Sequence, residues 1–126
     1  MNLLDYQKWS LSTAVYPGAG EHQFNEALYL TLGLASESGE VAGKIKKIIR
    51  GDKVDPYDVL SEMSDVLWYL TRLCDNLGIT MEDLADVNFA KLEKRRETNT
   101  IQGDGDKREL AKEAQEDASK IITANS

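Results

Sequence analysis

Cysteine and histidine are almost absent from this sequence, and their scarcity narrows the chemistry that the chain can support. The one cysteine, Cys74, has no second cysteine with which to form an internal disulfide. Its position on the apolar side of a predicted helix indicates a buried small side chain rather than a reactive thiol. The one histidine is His22, whereas di-iron helical bundles use Glu-x-x-His pairs. Thiol redox chemistry and a di-iron centre are therefore disfavoured.

Positive charge and long apolar runs are also scarce. The chain has 15 Lys and Arg against 22 Asp and Glu, which gives a formal net charge of −7. This charge repels a nucleic-acid backbone and an anionic lipid surface. No apolar run approaches the roughly 18 residues that span a bilayer, and the N-terminus lacks a signal-peptide pattern. We expect a cytoplasmic protein that binds neither polymeric nucleic acid nor membrane. A small anion could still bind if metal ions accompany it.

Proline occurs only twice, and both prolines mark predicted helix boundaries. At 126 residues the chain has the size of one domain. Apolar periodicity and capping residues predict four helices, at about residues 3–15, 23–50, 56–77 and 81–97. No segment alternates with period two, so we predict an all-α fold, a four-helix bundle. Residues 1–102 are expected to form this domain, and residues 103–126 a tail with a loop and a weak pattern for a fifth helix.

Two acidic motifs border the apolar stripes of the second and third predicted helices. Glu37 and Glu40 form E-x-x-E, and Glu62 and Asp65 form E-x-x-D. At about 100° per residue, the first acid of each motif lies about 60° from its stripe and the second about 120°, in the same rotational sense. The short connection makes these helices antiparallel, so equal offsets bring both motifs to one side of the pair. We therefore expect the four carboxylates to form one cluster.

A cluster of four carboxylates needs a cation. Two like charges about 4 Å apart repel by roughly 4 kcal/mol at an effective dielectric near 20, so the cluster must take up protons or metal ions. Ligands that are all oxygen favour Mg²⁺, with Mn²⁺ as a substitute. A solvated helix face is the alternative for either motif alone. The matched offsets of the two motifs favour the cluster.

The fourth predicted helix places polar and cationic residues in line with its apolar stripe. The stripe continues with Asn88, Lys91 and Arg95. Such donors suit phosphate oxygens, although bundle helices also end with Lys and Arg that reach into solvent. On the second helix, Lys44 either pairs with Glu40 four residues earlier or reaches phosphate, and the pairing is slightly favoured.

Small residues and a tryptophan lie opposite the predicted core. They are Ser36, Gly39 and Gly43 on the second helix and Trp68 on the third. Four short helices leave little chain to cover this face, so we expect a partner subunit of a symmetric homo-oligomer to occupy it. A solvent-exposed face is the alternative.

Together these motifs resemble the E-x-x-E…E-x-x-D signature of the all-α nucleoside triphosphate pyrophosphohydrolases, specifically the MazG-like proteins. The resemblance covers about residues 5–108 of the sequence. Besides the acids, the matching segments are Y-Q at 6–7, T-A-V-Y-P at 13–17, G-L-A-S-E-S-G-E-V-A-G-K-I-K-K at 33–47 and N-F-A-K-L-E-K-R at 88–95.

The resemblance implies a helical bundle, usually a homodimer or homotetramer, that uses Mg²⁺ to hydrolyse a nucleoside or deoxynucleoside triphosphate to the monophosphate and pyrophosphate. The family's metal-binding and catalytic acids correspond to Glu37, Glu40, Glu62 and Asp65, and its phosphate-contacting residues to Asn88 and Lys91, with Arg95 as a further candidate. Among the acids, Glu37 is the favoured general base, because its position nearest the apolar edge should raise its pKa most. The alternative function is a non-catalytic helical interaction module whose acids bind metal for stability or pair with basic partners.

Overall fold

The computed structural model describes residues 1–107, and the predicted helical pattern beyond that point lies outside the described residues. The described part contains four α-helices, one short 3-10 segment and no strand, so the predicted all-α class is confirmed. The helices are α1 (Leu3–Ser10), α2 (Phe24–Ile49), α3 (Pro56–Asn76) and α4 (Met81–Glu97), and the 3-10 segment is Leu11–Thr13. The chain divides into two compact units, Met1–Leu84 and Ala85–Ser126. The predicted division after residue 102 stays a prediction.

Local capping explains why the start of α3 and the C-terminal ends of α2, α3 and α4 lie at or within one residue of the predicted positions. Asp55 caps α3, accepting a hydrogen bond from the backbone N–H of Tyr57 at 2.9 Å, and Pro56 is the first helical residue, as predicted. Beyond the C-terminal ends of α2, α3 and α4 stand Gly51, Gly78 and Asn99, each with positive φ. A backbone hydrogen bond of the Schellman type closes each of these ends: Asp52 to Lys47, Ile79 to Cys74 and Thr100 to Arg95.

Within the first unit, α2 packs along α3 and α1 packs against α3. The short connection, residues 50–55, makes α2 and α3 antiparallel neighbours, as predicted. Cys74 is 3% exposed, and burial, with a smaller effect of the Asp83 charge, raises the pKa of its thiol. The prediction of a buried, unreactive cysteine is therefore supported by its surroundings. None of the helices in residues 1–107 combines the length and the apolar character needed to cross a membrane.

A buried carboxylate, Glu26, organises the chain that leads into α2. It is 1% exposed and accepts hydrogen bonds from the Tyr16 hydroxyl at 2.9 Å and from the Asn76 amide at 2.8 Å. It also accepts from the backbone N–H groups of Gly20 and His22. Burial alone would raise the pKa of Glu26, but these four hydrogen bonds to the charged form outweigh it and lower the pKa. The carboxylate thus holds the 16–22 connection against α2 and α3.

A buried arginine links α1 to α3. Arg72 is fully buried; its Nη1 donates to Ser10 Oγ at 3.3 Å, and its Nη2 donates to Asp75 Oδ2 at 3.0 Å. The Nε atom has no hydrogen-bond partner within residues 1–107. Burying a charge without a partner costs free energy, and the ion pair with the Asp75 carboxylate offsets this cost for Arg72.

Gln7 of α1 ties the α3–α4 connection to the first unit. Its side-chain Nε2 donates to the carbonyl of Ile79 at 2.9 Å, and its Oε1 accepts from the backbone N–H of Met81 at 3.0 Å. The amide therefore satisfies one backbone donor at the start of α4, which the helix itself cannot pair.

The apolar stripes that were predicted as the bundle core are only partly covered within one chain. Ile45, Ile48, Met63 and Leu77 are 42%, 47%, 52% and 63% exposed. A groove of about 290 Å³ opens among Ser38, Val41, Met63 and Val66. The described chain therefore leaves a band of apolar surface along α2 and α3.

Trp68, on the face opposite the predicted core, contacts residues of its own chain, and the predicted partner subunit on this face stays a prediction. Its indole Nε1 donates to Thr13 Oγ1 at 2.8 Å, and its ring meets the Tyr16 ring edge-on with centroids 6.1 Å apart. Helix α1 ends at Ser10, earlier than predicted, so residues 11–16 turn back and cover Trp68 within the same chain. A Cβ at Gly39 or Gly43 would meet nothing within 4 Å, so that part of the face stays open.

Candidate metal centre

Three carboxylates from α2 and α3 converge in the first unit. Glu37, Glu62 and Asp65 each offer one oxygen, and these oxygens lie within 4.8 Å of one another. Glu37 and Glu62 are half-buried and Asp65 is exposed, so the group, here called the acid trio, is reachable from solvent. Antiparallel pairing of α2 with α3 brings the two motifs to one height, which is the geometric basis on which the sequence predicted a cluster.

Glu40 is not a member of the acid trio. It lies one helical turn after Glu37 on α2 and is exposed. Its charge nevertheless acts on Glu37. The structure thus brings three of the four predicted acids together and leaves the fourth at the edge of the group.

The electrostatics of Glu37 match the expected direction. Burial raises the pKa of Glu37, and the charges of Asp65, Glu62 and Glu40 raise it further. A carboxylate in this position binds a proton or a metal ion more readily than an isolated one does.

Lys44 supplies a positive charge beside the trio, and its pairing corrects a prediction. Its Nζ lies 3.8 Å from Glu62 Oε1, so the ion pair crosses from α2 to α3 rather than running along α2 to Glu40. Lys44 follows Glu37 by seven residues, which is about two turns, and therefore lies on the same side of α2, facing α3. Both side chains are about one-fifth exposed, at 23% and 21%, so solvent weakens the pair without removing it.

The donor set fits a hard divalent cation. All three ligand atoms are carboxylate oxygens, the class that Mg²⁺ and Mn²⁺ prefer. Oxygens bound to one Mg²⁺ at about 2.1 Å lie at most about 4.2 Å apart, so small rotations of these side chains suffice to close around an ion. The trio carries more negative charge than Lys44 neutralises, and a divalent ion would balance the remainder.

The predicted phosphate-binding residues belong to α4 in the second unit. Asn88 is exposed and Lys91 is half-buried. Arg95 is 5% exposed, and its Nη2 donates to the backbone carbonyl of Asp106 at 2.9 Å. Arg95 therefore already has a role within its own unit, and the phosphate contacts stay predictions for all three residues.

Removing the charge of Glu37 should stabilise the metal-free protein at neutral pH. Because the folded state raises the pKa of Glu37 above its ordinary 4.5, the stability that this group contributes is complete below that value and is lost as the pH rises through the raised pKa. We expect Glu37→Gln to be more stable than metal-free wild type at pH 7 by about 1 kcal/mol, or about 4 °C in Tm. This is the repulsion of two charges about 4 Å apart in water rather than in the protein interior, because the trio is reachable from solvent.

The measurement is thermal unfolding from pH 4 to pH 8 in the presence of a chelator. The two proteins should converge at the acid end, and excess Mg²⁺ should reverse their order, since a metal bound only by the folded state raises Tm. The exposed Glu40→Gln variant is the matched control and should show a smaller gain. A Glu37→Gln protein no more stable than wild type throughout this range would contradict the electrostatic description of the trio.

Known proteins with similar sequences indicate the family to which the chain belongs. Residues 25–100 match the family described as the MazG nucleotide pyrophosphohydrolase domain, a range that contains all of the predicted acids. The Gene 37 protein of Mycobacterium phage L5 is 38% identical over 109 residues, which cover 82% of this chain and 96% of that protein. No solved structure gives a significant match. Since the family match spans more than half of the sequence, the chain belongs to the MazG nucleotide pyrophosphohydrolase family.

Proposed function

We propose that this protein hydrolyses a nucleoside or deoxynucleoside triphosphate to the monophosphate and pyrophosphate in the cytoplasm, with Mg²⁺ or, as a substitute, Mn²⁺. The observation that carries the proposal is the convergence of Glu37, Glu62 and Asp65 from two antiparallel helices. Membership of the MazG nucleotide pyrophosphohydrolase family supports the same class of reaction. The electrostatic cost of gathering these carboxylates is understandable when their function is to hold a cation.

The acids are assigned two roles in the proposed reaction, metal ligand and general base. A divalent ion at the trio would neutralise part of the triphosphate charge and lower the pKa of water. Glu37, Glu62 and Asp65 would each hold the ion through one oxygen, which leaves the second oxygen of Glu37 available as a base, and Glu40 extends the set at its edge. Glu37 accepts the proton of the attacking water, a role that its raised pKa suits. The water oxygen bonds to the α-phosphorus, the bond from that phosphorus to the bridging oxygen breaks, and pyrophosphate leaves with the electron pair.

Cationic residues are assigned to the phosphate groups. Asn88 and Lys91 are proposed to contact phosphate oxygens, and Arg95 would have to release the carbonyl of Asp106 to join them. Lys44 pairs with Glu62, so it can orient that ligand while its charge attracts the anionic substrate.

The exposed apolar band along α2 and α3 is proposed to pack against a second copy of the chain. Apolar patches of this kind are uncommon on monomers and usually mark an interface, and a symmetric homodimer or homotetramer buries the same band on every copy. Light scattering on the purified protein should give a mass of at least twice the 14.1 kDa of one chain. A mass equal to one chain at micromolar concentration would contradict this assembly.

The reaction is tested by its products. Purified protein is incubated with Mg²⁺ and each common NTP and dNTP, and products are identified by phosphorus NMR. We expect equal amounts of monophosphate and pyrophosphate, and no product when a chelator is in excess. Orthophosphate in place of pyrophosphate would move the cut to another bond, and no product from any nucleotide would reject the proposal.

The open apolar band also favours a second candidate, a non-catalytic module that uses this surface and its acidic charge to bind a partner. The two candidates differ in turnover. A module would gain thermal stability from Mg²⁺ through the trio and yet release no product from any nucleotide in the panel.

A further inference from the structure

The side chain of Tyr69 lies directly against the backbone of α2 at Gly33. A Cβ built on Gly33 would lie 2.1 Å from Cε1 of Tyr69 and 2.5 Å from its Cδ1 and Cζ. These separations are far below any van der Waals contact, and the atoms belong to a rigid ring, so only glycine accepts the ring there. Trp68 supports the ring from α3, with the two ring centroids 5.0 Å apart and the planes at 87°. Glycine is unfavourable inside a helix, and the contact with Tyr69 explains why α2 has a glycine at position 33.

This contact lies one helical turn from the acid trio. Gly33 precedes Glu37 by four residues on α2, and Tyr69 follows Asp65 by four residues on α3. Because the two helices are antiparallel, both steps lead in the same direction along the pair, by about 6 Å. The Tyr69 ring therefore fills the space between α2 and α3 in the turn next to the carboxylates.

Electrostatic effects agree with this position. Burial raises the pKa of Tyr69, the hydroxyl of Tyr29 contributes in the same direction through charge and hydrogen bonding, and the charges of Glu37 and Asp65 add smaller increments. The phenol therefore stays neutral at physiological pH, and its ring is close enough to the trio to sense two of its members.

We propose that Tyr69, seated on Gly33, is a positioning residue for the metal centre: its ring sets the separation of α2 and α3 at which the oxygens of Glu37 and Asp65 meet around one ion. The inference rests on the proposed function, since the ion concerned is the one assigned to hydrolysis. Close-packed interiors transmit a change in one layer to the next, and residues that support metal ligands typically alter metal affinity 10–100-fold when they are changed.

Three variants distinguish the effect of the Tyr69 ring from the effect of its hydroxyl and from the effect of its contact with Gly33. Tyr69→Phe keeps the ring and loses only the hydroxyl, so it is the matched control. Tyr69→Leu removes the spacer, whereas Gly33→Ala keeps Tyr69 but forces the ring away from α2. Adding Gly33→Ala to Tyr69→Leu should cost little more than Tyr69→Leu alone, because the new Cβ then has a smaller and more flexible neighbour.

The readout is Mn²⁺ affinity by isothermal titration calorimetry in the absence of nucleotide, with circular dichroism to verify folding. We expect Tyr69→Phe to bind Mn²⁺ within about twofold of wild type, and Tyr69→Leu and Gly33→Ala to bind at least about 10-fold more weakly. A merely structural role would lower Tm without changing the affinity of the folded protein.

The outcomes distinguish this inference from the proposed function. Wild-type affinity in folded Gly33→Ala or Tyr69→Leu overturns the positioning role alone. Weakened binding in both variants, with no nucleotide hydrolysed by wild type, upholds the positioning role and rejects the hydrolase. A wild-type protein that binds no Mn²⁺ overturns both. If Tyr69→Leu does not fold, the comparison of Gly33→Ala with Tyr69→Phe decides.

Discussion

Replacing Asp65 with Asn is expected to lower kcat for Mg²⁺-dependent triphosphate hydrolysis by about 10³-fold. The change keeps the size of the side chain and removes one of the three charges proposed to hold the ion. The loss corresponds to about 4 kcal/mol of transition-state stabilisation, within the several kcal/mol attributed to metal catalysis. Asp65 makes the cleaner test than Glu62, because Glu62 also pairs with Lys44, whereas Asp65 is exposed and forms no ion pair within residues 1–107.

The measurement is the rate of pyrophosphate release at saturating nucleotide, across a series of Mg²⁺ concentrations. Glu97→Gln is the matched control: it removes the same charge from an exposed position in the last turn of α4 and should leave kcat unchanged. The Asp65→Asn protein should also unfold at a metal-free Tm no lower than that of wild type, since it relieves repulsion within the trio. Retention of more than a tenth of wild-type kcat would argue that Asp65 does not hold the catalytic ion.

The second large effect concerns stability, and it falls on a residue remote in sequence from the acidic motifs. Glu26→Ala is expected to lower the free energy of unfolding by about 3–5 kcal/mol, because hydrogen bonds to a charged group contribute about 1.5–3 kcal/mol each and a buried donor left unpaired costs about 1–3 kcal/mol. The substitution leaves the Tyr16 hydroxyl, the Asn76 amide and two backbone N–H groups without their acceptor. Because small domains have only about 5–15 kcal/mol in total, much of the protein's stability depends on this one carboxylate.

Denaturant unfolding at pH 7 measures the loss. Glu21→Ala, an exposed carboxylate in the same connection, is the control and should change the free energy by less than about 0.5 kcal/mol. The lowered pKa of Glu26 also determines how its effect changes with pH. The contribution of Glu26 to the free energy of unfolding is present above the ordinary pKa and is lost as the pH falls through the lowered pKa. The difference between wild type and Glu26→Ala should therefore shrink in strong acid. A loss below 1 kcal/mol at pH 7 would show that the hydrogen bonds of Glu26 are dispensable.

Local signals in the sequence were sufficient for most of the helical architecture. The bounds of α2, α3 and α4 follow from residues that act within one turn, such as Asp55 at the start of α3 and Gly51 after the end of α2. The convergence of acids followed from angular offsets and the short α2–α3 connection, which involve two neighbouring helices only. These features need no knowledge of distant contacts, and for that reason a pattern predicts them.

Long-range contacts account for what the pattern missed. No sequence pattern singled out Glu26, because its donors include Tyr16, 10 residues earlier, and Asn76, 50 residues later. The contacts of Trp68 with Thr13 and Tyr16 were also missed, because the early end of α1 could not be foreseen from its apolar residues. The Gly33–Tyr69 contact left a signal that could have been used, since a costly glycine and an aromatic residue stand at matching spacings from the two acidic motifs.

The repulsion among the acids of the trio also affects the stability of the protein. Half-buried acids that repel one another lower the stability of the metal-free state, and the Glu26 and Arg72 networks stabilise the same unit elsewhere. Stability and the proposed metal binding are thus assigned to different residues along α2 and α3, so substitutions in one set should alter the other property far less than their own.

The central claim is that Glu37, Glu62 and Asp65 hold one divalent ion. Its most direct test is diffraction from crystals containing Mn²⁺, with data collected at the manganese absorption edge. We predict an anomalous peak about 2.2 Å from an oxygen of each carboxylate. An ordered trio without such a peak at saturating Mn²⁺, or a peak bound only by other residues, would contradict it.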